Sequence, residues 1–345
     1  VKLEAADPQD IRAFLAAYRD SPLSDRLRAD WLKLLGKNQQ WDMFDAELPQ
    51  LIGDGIEITC YALQSRVRHD PHALREARPL WFVSHNIPAS CNPLFDALVE
   101  AKMLSADDLW TRIRLALEAG QAGLARRVAE SLPASQAADT RQWAAISSNA
   151  AGYLEKRQFD FKSRAGRETL LFAVHRLART SPQQAATHWS RLEERFDEDE
   201  RGYVWGLIAY LGAMRHDPAA LSWFAKAGDL SDLQLAWKVR AALRAGNWRE
   251  VIAAIEAMTA RESAEASWRY WKARALKALG RNEEAAALLT PLADEFNFYG
   301  QLATEELGAR VTSPATVFKP GAADVAAISQ LPGIQRALAL FRLDL

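Results

Sequence analysis

Residues 268–289 read WRYWKARALKALGRNEEAAALL. The stretch is an apolar helical run, a glycine at 280, a short polar turn and a second apolar run. After the turn, Ala285, Leu288, Leu289 and Leu292 fall at i, i+3, i+4 and i+7, which lines one face of a helix. Three other stretches share this grammar: 31–44 (WLKLLGKNQQWDMF), 112–132 (RIRLALEAGQAGLARRVAESL) and 236–258 (AWKVRAALRAGNWREVIAAIEAM). In the last of these, Trp248, Val251, Ile252 and Ile255 repeat the same spacing. Gly36, Gly120, Gly246 and Gly280 each sit where the first helix should stop. A glycine there takes the left-handed conformation without a Cβ penalty, so all four are expected to be helix caps.

A second punctuation mark is a polar residue followed by proline. Asp7-Pro8, Ser21-Pro22, Asp70-Pro71, Ser181-Pro182 and Asp217-Pro218 all precede apolar-periodic runs. The polar side chain can accept a backbone hydrogen bond as N-cap, and proline fits the first helical position. These five sites read as helix starts. No segment carries a strand-like alternation; ITCYAL (58–63) comes nearest but runs on into a helical pattern. The expected fold is therefore all-α, an α-superhelix of TPR-like hairpins stacked into a curved or ring-shaped solenoid, because a lone hairpin cannot bury its apolar face.

Composition agrees. The 345 residues are 49% hydrophobic and 25% charged, with formal net charge -1. That balance argues against a general nucleic-acid binder, which presents a basic surface. No apolar run is long enough for a membrane span. Twelve tryptophans give a helical array large side chains to wedge its layers. Residues 311–324 (VTSPATVFKPGAAD) lose the helical period and carry two prolines, so they read as a linker. LPGIQRALALF (331–341) then starts a helix whose partner is not in the chain. The expected division is a helical-repeat domain over 1–310 and the first part of a linker domain over 311–345, with the natural protein continuing beyond.

Candidate chemistry is sparse. Cys60 and Cys91 read equally as two buried thiols or as one disulfide. No CxxC or HxxxH spacing accompanies them, so neither a zinc site nor any other metal or cofactor is expected. His69 and His72 flank a helix start and read as a solvated turn; His85 lies in the loop-like VSHNIPASC. Neither a GxSxG elbow nor a phosphate-binding GxxxxGK[ST] is present. EERFDEDE (193–200) reads as a solvated face. Trp205, Tyr210, Trp223, Trp237, Trp248, Trp268, Tyr270 and Trp271 read mostly as core. Trp268, Tyr270 and Trp271 cannot all face one side of a helix, since successive residues are about 100° apart. Arg261-Glu262-Ser263 could pass for a catalytic glutamate, but it reads as a polar turn between hairpins.

Residues 268–308, WRYWKARALKALGRNEEAAALLTPLADEFNFYGQLATEELG, closely resemble the soluble lytic murein transglycosylases of Gram-negative bacteria. Those proteins carry a YWxARALxxLGR segment and then FYGxLAxEELG. DIRAFLAAYRDSPLSDRLRADWLKLLGKNQQWDMF (10–44), CYALQSR (60–66) and CNPLFDAL (91–98) are similar to further blocks of that family. The resemblance implies a ring of paired helices with a central hole, followed by a linker domain and a lysozyme-like catalytic domain. The complete enzyme would be periplasmic and would cleave glycan strands between N-acetylmuramic acid and N-acetylglucosamine, leaving a 1,6-anhydro product. It also implies that Cys60 and Cys91 form a disulfide. The family's catalytic domain carries a Glu-Ser pair followed by Gly-Leu-Met-Gln; here Glu262-Ser263 has no such follower, so no catalytic residue is assigned. The implied role is a non-catalytic ring that positions an enzyme on peptidoglycan glycan strands or docks other cell-wall enzymes. The alternative is a free-standing helical-repeat scaffold for a protein partner.

Overall fold

The computed structural model describes residues 3–19, 21–53, 55–83, 87–156, 158–311 and 319–343. Among them there are helices and turns and no strand. They fall into two compact units, Val1–Ala119 with Ala315–Leu345, and Gly120–Pro314.

The first unit contains α1 (Pro8–Ala17), α2 (Pro22–Lys37), α3 (Trp41–Glu47), α4 (Ile56–Val67), α5 (Arg78–Trp81), α6 (Asn92–Glu100) and α7 (Ala106–Glu118). Ile11 and Leu15 of α1, Trp31, Leu32 and Leu35 of α2, Phe44 of α3 and Ile58 and Tyr61 of α4 make one core. Further along, the buried Arg112 of α7 lies over the rings of Trp81 and Phe95, at 5.9 and 5.4 Å from their centroids. Its guanidinium donates to the carbonyls of Trp81 and Val83, at 3.1 and 2.8 Å. Those acceptors hold the Nη1 end of a cation that burial penalises.

The second unit begins with α8 (Ala122–Ala129), α9 (Thr140–Ser148), α10 (Ala150–Leu154), α11 (Arg164–Ala178), α12 (Pro182–Leu192), α13 (Glu198–Met214) and α14 (Ala220–Phe224). It continues through α15 (Asp232–Arg244), α16 (Trp248–Glu256), α17 (Ala260–Ser263), α18 (Ala266–Ala278), α19 (Asn282–Ala293) and α20 (Phe298–Glu306). The hairpins α15–α16 and α18–α19 stack through α16 against α18, and α20 closes on α18 and α19. Val239, Val251, Ile255, Trp268, Leu276, Leu289 and Leu292 fill the seams, and Ala242, Ala254, Ala273, Ala275 and Ala303 let the backbones approach. The two first helices carry the same residues in the same order: Trp237-Lys238 with Arg240, and Trp271-Lys272 with Arg274. Lys238 reaches Glu250 within its own hairpin at 2.6 Å, whereas Lys272 reaches back to Glu256 of the previous one at 2.8 Å. Arg240 lies over Trp237 and over Trp268 of the next hairpin, at 5.0 and 5.2 Å. Later in the sequence, and part of the first unit, come α21 (Ala322–Ser329) and α22 (Pro332–Arg342), neither with a buried residue. Half of the expected linker, 312–318, lies outside the described residues, and its last part, from Ala322, is already helical.

The punctuation marks hold with two corrections. Gly120, Gly246 and Gly280 take φ of 76°, 66° and 77°. Gly36 does not cap: α2 runs through it, and the left-handed residue is Gln39, with φ 56°. Gly36 is there for a close approach, since a Cβ built on it would lie 2.3 Å from Cγ of Tyr61. Asp7, Ser21, Asp70 and Ser181 cap helices through their side chains. Asp217 instead opens a turn, accepting from the Ala219 amide at 2.8 Å, and α14 starts only at Ala220.

The tight α2–α4 crossing gives a direct check. Gly36→Ala should destabilise the protein by about 1–3 kcal/mol, because the added methyl overpacks the Tyr61 ring. In denaturant unfolding, Tyr61→Ala should remove most of the extra cost of the alanine; additive losses would show that the contact does not matter.

Candidate functional site

Cys60 in α4 and Cys91, just ahead of α6, are joined by a disulfide, with Cα atoms 5.0 Å apart and both residues fully buried. Gln64 of α4 donates to the carbonyl of Ser90 at 2.6 Å beside it. The bond therefore fixes α4 against the start of α6 within one unit.

Glu262 belongs to the four-residue helix α17. Its carboxylate accepts from the Trp268 indole at 2.9 Å, and its amide donates to the Thr259 hydroxyl. Thr259 is held in turn by Asp232, to which its amide and hydroxyl donate at 2.8 and 2.7 Å. The Glu-Ser pair is thus part of the clasp between two hairpins. Trp268 and Tyr270 are buried, at 6% and 4% exposure, while Trp271 is half-buried. Of the remaining expected core aromatics, Trp205 and Trp223 are buried, and Tyr210, Trp237 and Trp248 are half-buried.

The acidic run at 193–200 is less solvated than its composition implies. Glu193 accepts from the Trp205 indole at 2.6 Å, and Glu200 is buried against Arg167 at 2.9 Å. Glu193 opens a short 3-10 turn ahead of α13, and Glu200 lies in the first turn of α13. His69 and His72 are exposed at their turn, and His85 lies outside the described residues. Among the described residues no three His, Cys, Asp or Glu side chains could hold a metal ion.

Among the described residues, the carboxyl groups whose proton affinity is clearly displaced are all displaced downward. Neighbouring arginines acting first through hydrogen bonds lower Glu76, Asp139, Glu284 and Glu295, and Lys277 does the same for Glu306. Hydroxyl donors lower Asp160 and Asp232. A general acid for glycoside cleavage needs the opposite displacement. Among the described residues the strongly displaced base is His175 of α11, which burial first and then Arg179 and Arg176 push down to about 4.

Two clefts stand out. One, of about 500 Å³ in the first unit, is lined by Leu48, Leu51, Ile52, Ile58 and Ala62, with the Arg66–Glu76 pair at its edge. The other, of about 510 Å³ in the second unit, is polar and aromatic. Its floor is the first turns of α11, and its walls are α9, α10, Lys156 and residues 158–163. The Tyr153 hydroxyl donates to Gln142 at 3.0 Å, and the Lys156 ammonium sits 4.6 Å from the Tyr153 ring centroid. Burial first, then the Asp139 charge, raises the Tyr153 phenol. Asp139 caps α9 and accepts from Arg141 Nε at 3.1 Å. Asp160 accepts from the amides of Lys162 and Ser163, at 2.9 and 3.0 Å, and from the Ser163 hydroxyl, which itself caps α11. Gly166 packs so closely under this connection that a Cβ would lie 2.1 Å from the Asp160 carbonyl oxygen. Rings continue from Tyr153 through Phe159, Phe161 and Phe196 to Trp189. The sequence offered one unused signal for this cleft: aromatic and polar residues interleaved over 153–163, YLEKRQFDFKS.

No family model matches the chain. A soluble lytic murein transglycosylase of Escherichia coli (strain K12) is 22% identical over 315 residues, which is 86% of this chain and 47% of that protein. Its counterpart in Salmonella typhimurium is 22% identical over 322 residues, 88% of this chain and 48% of that protein. Among solved structures, an inactive mutant of lytic transglycosylase Slt from Pseudomonas aeruginosa superposes with a TM-score of 0.65 at 26% identity, covering 99% of this chain and 56% of that one. The 70-kDa soluble lytic transglycosylase of Escherichia coli gives 0.58 at 21% identity over the same shares. The chain spans about half the length of the curated relatives it matches. Its likeness to soluble lytic murein transglycosylases thus extends from the 268–308 segment over most of the chain.

Two measurements follow from the buried groups. Replacing Cys60 and Cys91 together by alanine should lower stability by about 2–4 kcal/mol in urea unfolding, the usual effect of opening such a loop; an unchanged midpoint would mean the bond constrains nothing. His175 is held neutral in the fold but charges at its ordinary 6.5 once unfolded. The unfolded state therefore takes up the proton first, and stability falls as pH drops from about 6.5 toward 4, then levels. His175→Phe should flatten that fall, and equal slopes for variant and wild type would refute the assignment.

Proposed function

We propose that this chain is the non-catalytic helical portion of a periplasmic peptidoglycan-processing protein of the lytic transglycosylase type. In this reading residues 1–310 form the ring-like repeat domain, and 311–345 begin a linker domain. The complete protein cleaves glycan strands between N-acetylmuramic acid and N-acetylglucosamine with a 1,6-anhydro product. The present residues hold the strand in place for that step and offer a surface to other cell-wall enzymes.

What supports the reading above all is similarity in sequence and fold to such enzymes across most of the chain. The lack of a Glu-Ser followed by Gly-Leu-Met-Gln supports the non-catalytic part, as does the engagement of Glu262 by Trp268. The Cys60–Cys91 bond suits an oxidising compartment. Among the described residues no helix is long and apolar enough to cross a membrane.

The test is sedimentation with purified peptidoglycan sacculi, with soluble products read by mass spectrometry. The expected result is retention on sacculi without release of anhydro-muropeptides. Release would place an active centre in these residues and return Glu262 to scrutiny. Failure to sediment would favour a scaffold for a protein partner.

A further inference from the structure

We infer that the cleft between α9, α10 and the start of α11 is a saccharide site that takes N-acetylated amino-sugar chains. The choice of sugar rests on the function proposed above; the site itself rests on the cleft. Its volume of about 510 Å³ lies in the range of small-ligand sites. Its polar groups point to a neutral, hydroxyl-rich ligand by elimination. A polyanion would meet the Asp139 and Asp160 carboxylates, both kept ionised by their hydrogen bonds. A metal ion would find those oxygens already accepting from Arg141, Gln142, Lys162 and Ser163. An apolar ligand would find no aliphatic residue larger than alanine in the lining, only the Tyr153 and Phe159 rings among polar and charged groups. A sugar satisfies the cleft on both counts. Its hydroxyl and acetamido groups exchange hydrogen bonds with carboxamide, ammonium and carboxylate, and its C–H face packs on Tyr153 and Phe159.

The wall is also built in advance of any ligand. Asp160 turns the connection, Gly166 seats it on α11, and Arg167 donates to the Lys162 carbonyl at 3.3 Å while paired with the buried Glu200. A rigid wall spares the ligand the cost of ordering it. Gln142 and Lys156 themselves are exposed, so the fold does not need their side chains.

The experiment is calorimetric titration of the 345-residue chain with chitotetraose, a tetramer of N-acetylglucosamine, and with maltotetraose. Chitotetraose should bind and maltotetraose should bind at least about ten-fold more weakly, since it lacks the acetamido groups. The double variant Gln142→Ala/Lys156→Ala should lose about ten-fold in chitotetraose affinity at an unchanged melting temperature. Arg249→Ala, in α16 and outside the cleft lining, should bind as wild type. No binding of chitotetraose, or equal binding by the double variant, overturns the site. Sacculus sedimentation of the same proteins separates the two levels. Wild-type retention by the double variant removes the cleft and leaves the proposed function standing. Loss of retention by wild type, with chitotetraose still bound through the cleft, removes that function and keeps the site.

Discussion

An isolated hairpin such as α18–α19 exposes an apolar stripe on each side, and only its sequence neighbours can cover it. That requirement governs the second unit. Trp268 is buried between α16 and its own hairpin, its indole N–H held by Glu262, and Arg240 of the preceding hairpin lies over its ring. The alanines at 242, 254, 273 and 275 are the counterpart of that bulk, because two helices approach closely only where side chains are short. Glu256–Lys272 then ties one hairpin to the next, and Arg269–Glu295 ties α18 to the turn after α19. Their exposure makes them weak in energy, so they set register more than they add stability.

Much of this was legible in the sequence for a simple reason. Helical periodicity and N-caps are local, and residues such as Asp7, Ser21 and Ser181 act on amides two or three positions ahead. Gly36 misled because Leu34-Leu35-Gly36 looks like a helix stop. Its role depends on Tyr61, which is distant in sequence. The Glu193 and Glu200 contacts were hidden for the same reason, since Trp205 and Arg167 meet them only after packing. The polar cleft draws on Asp139, Gln142, Tyr153, Lys156 and Asp160, which follow no fixed spacing. His175 gave no hint at all, because α11 is buried over nearly its whole second half.

The two clefts show how differently one kind of scaffold can treat its concavities. The Leu48–Ala62 cleft presents aliphatic side chains with one ion pair at the lip. The Tyr153 cleft presents charge and aromatic faces, and spends Asp139 and Asp160 on local backbone amides. Carboxylates used in this way are poor proton donors and poor metal ligands, but they are good fixed acceptors. Specific recognition of a neutral polar molecule needs that kind of group.

The disulfide has a bearing on when the protein can be made, besides how stable it is. Both sulfurs are completely covered in the finished fold. Oxidant must therefore reach Cys60 and Cys91 while α4 and α6 are still apart, and a thiol reagent can reach the bond only after they separate again. Oxidation thus precedes the closing of α4 on the start of α6. A molecule that closes its core before pairing them would carry two sealed thiols and no ready path to correct the omission.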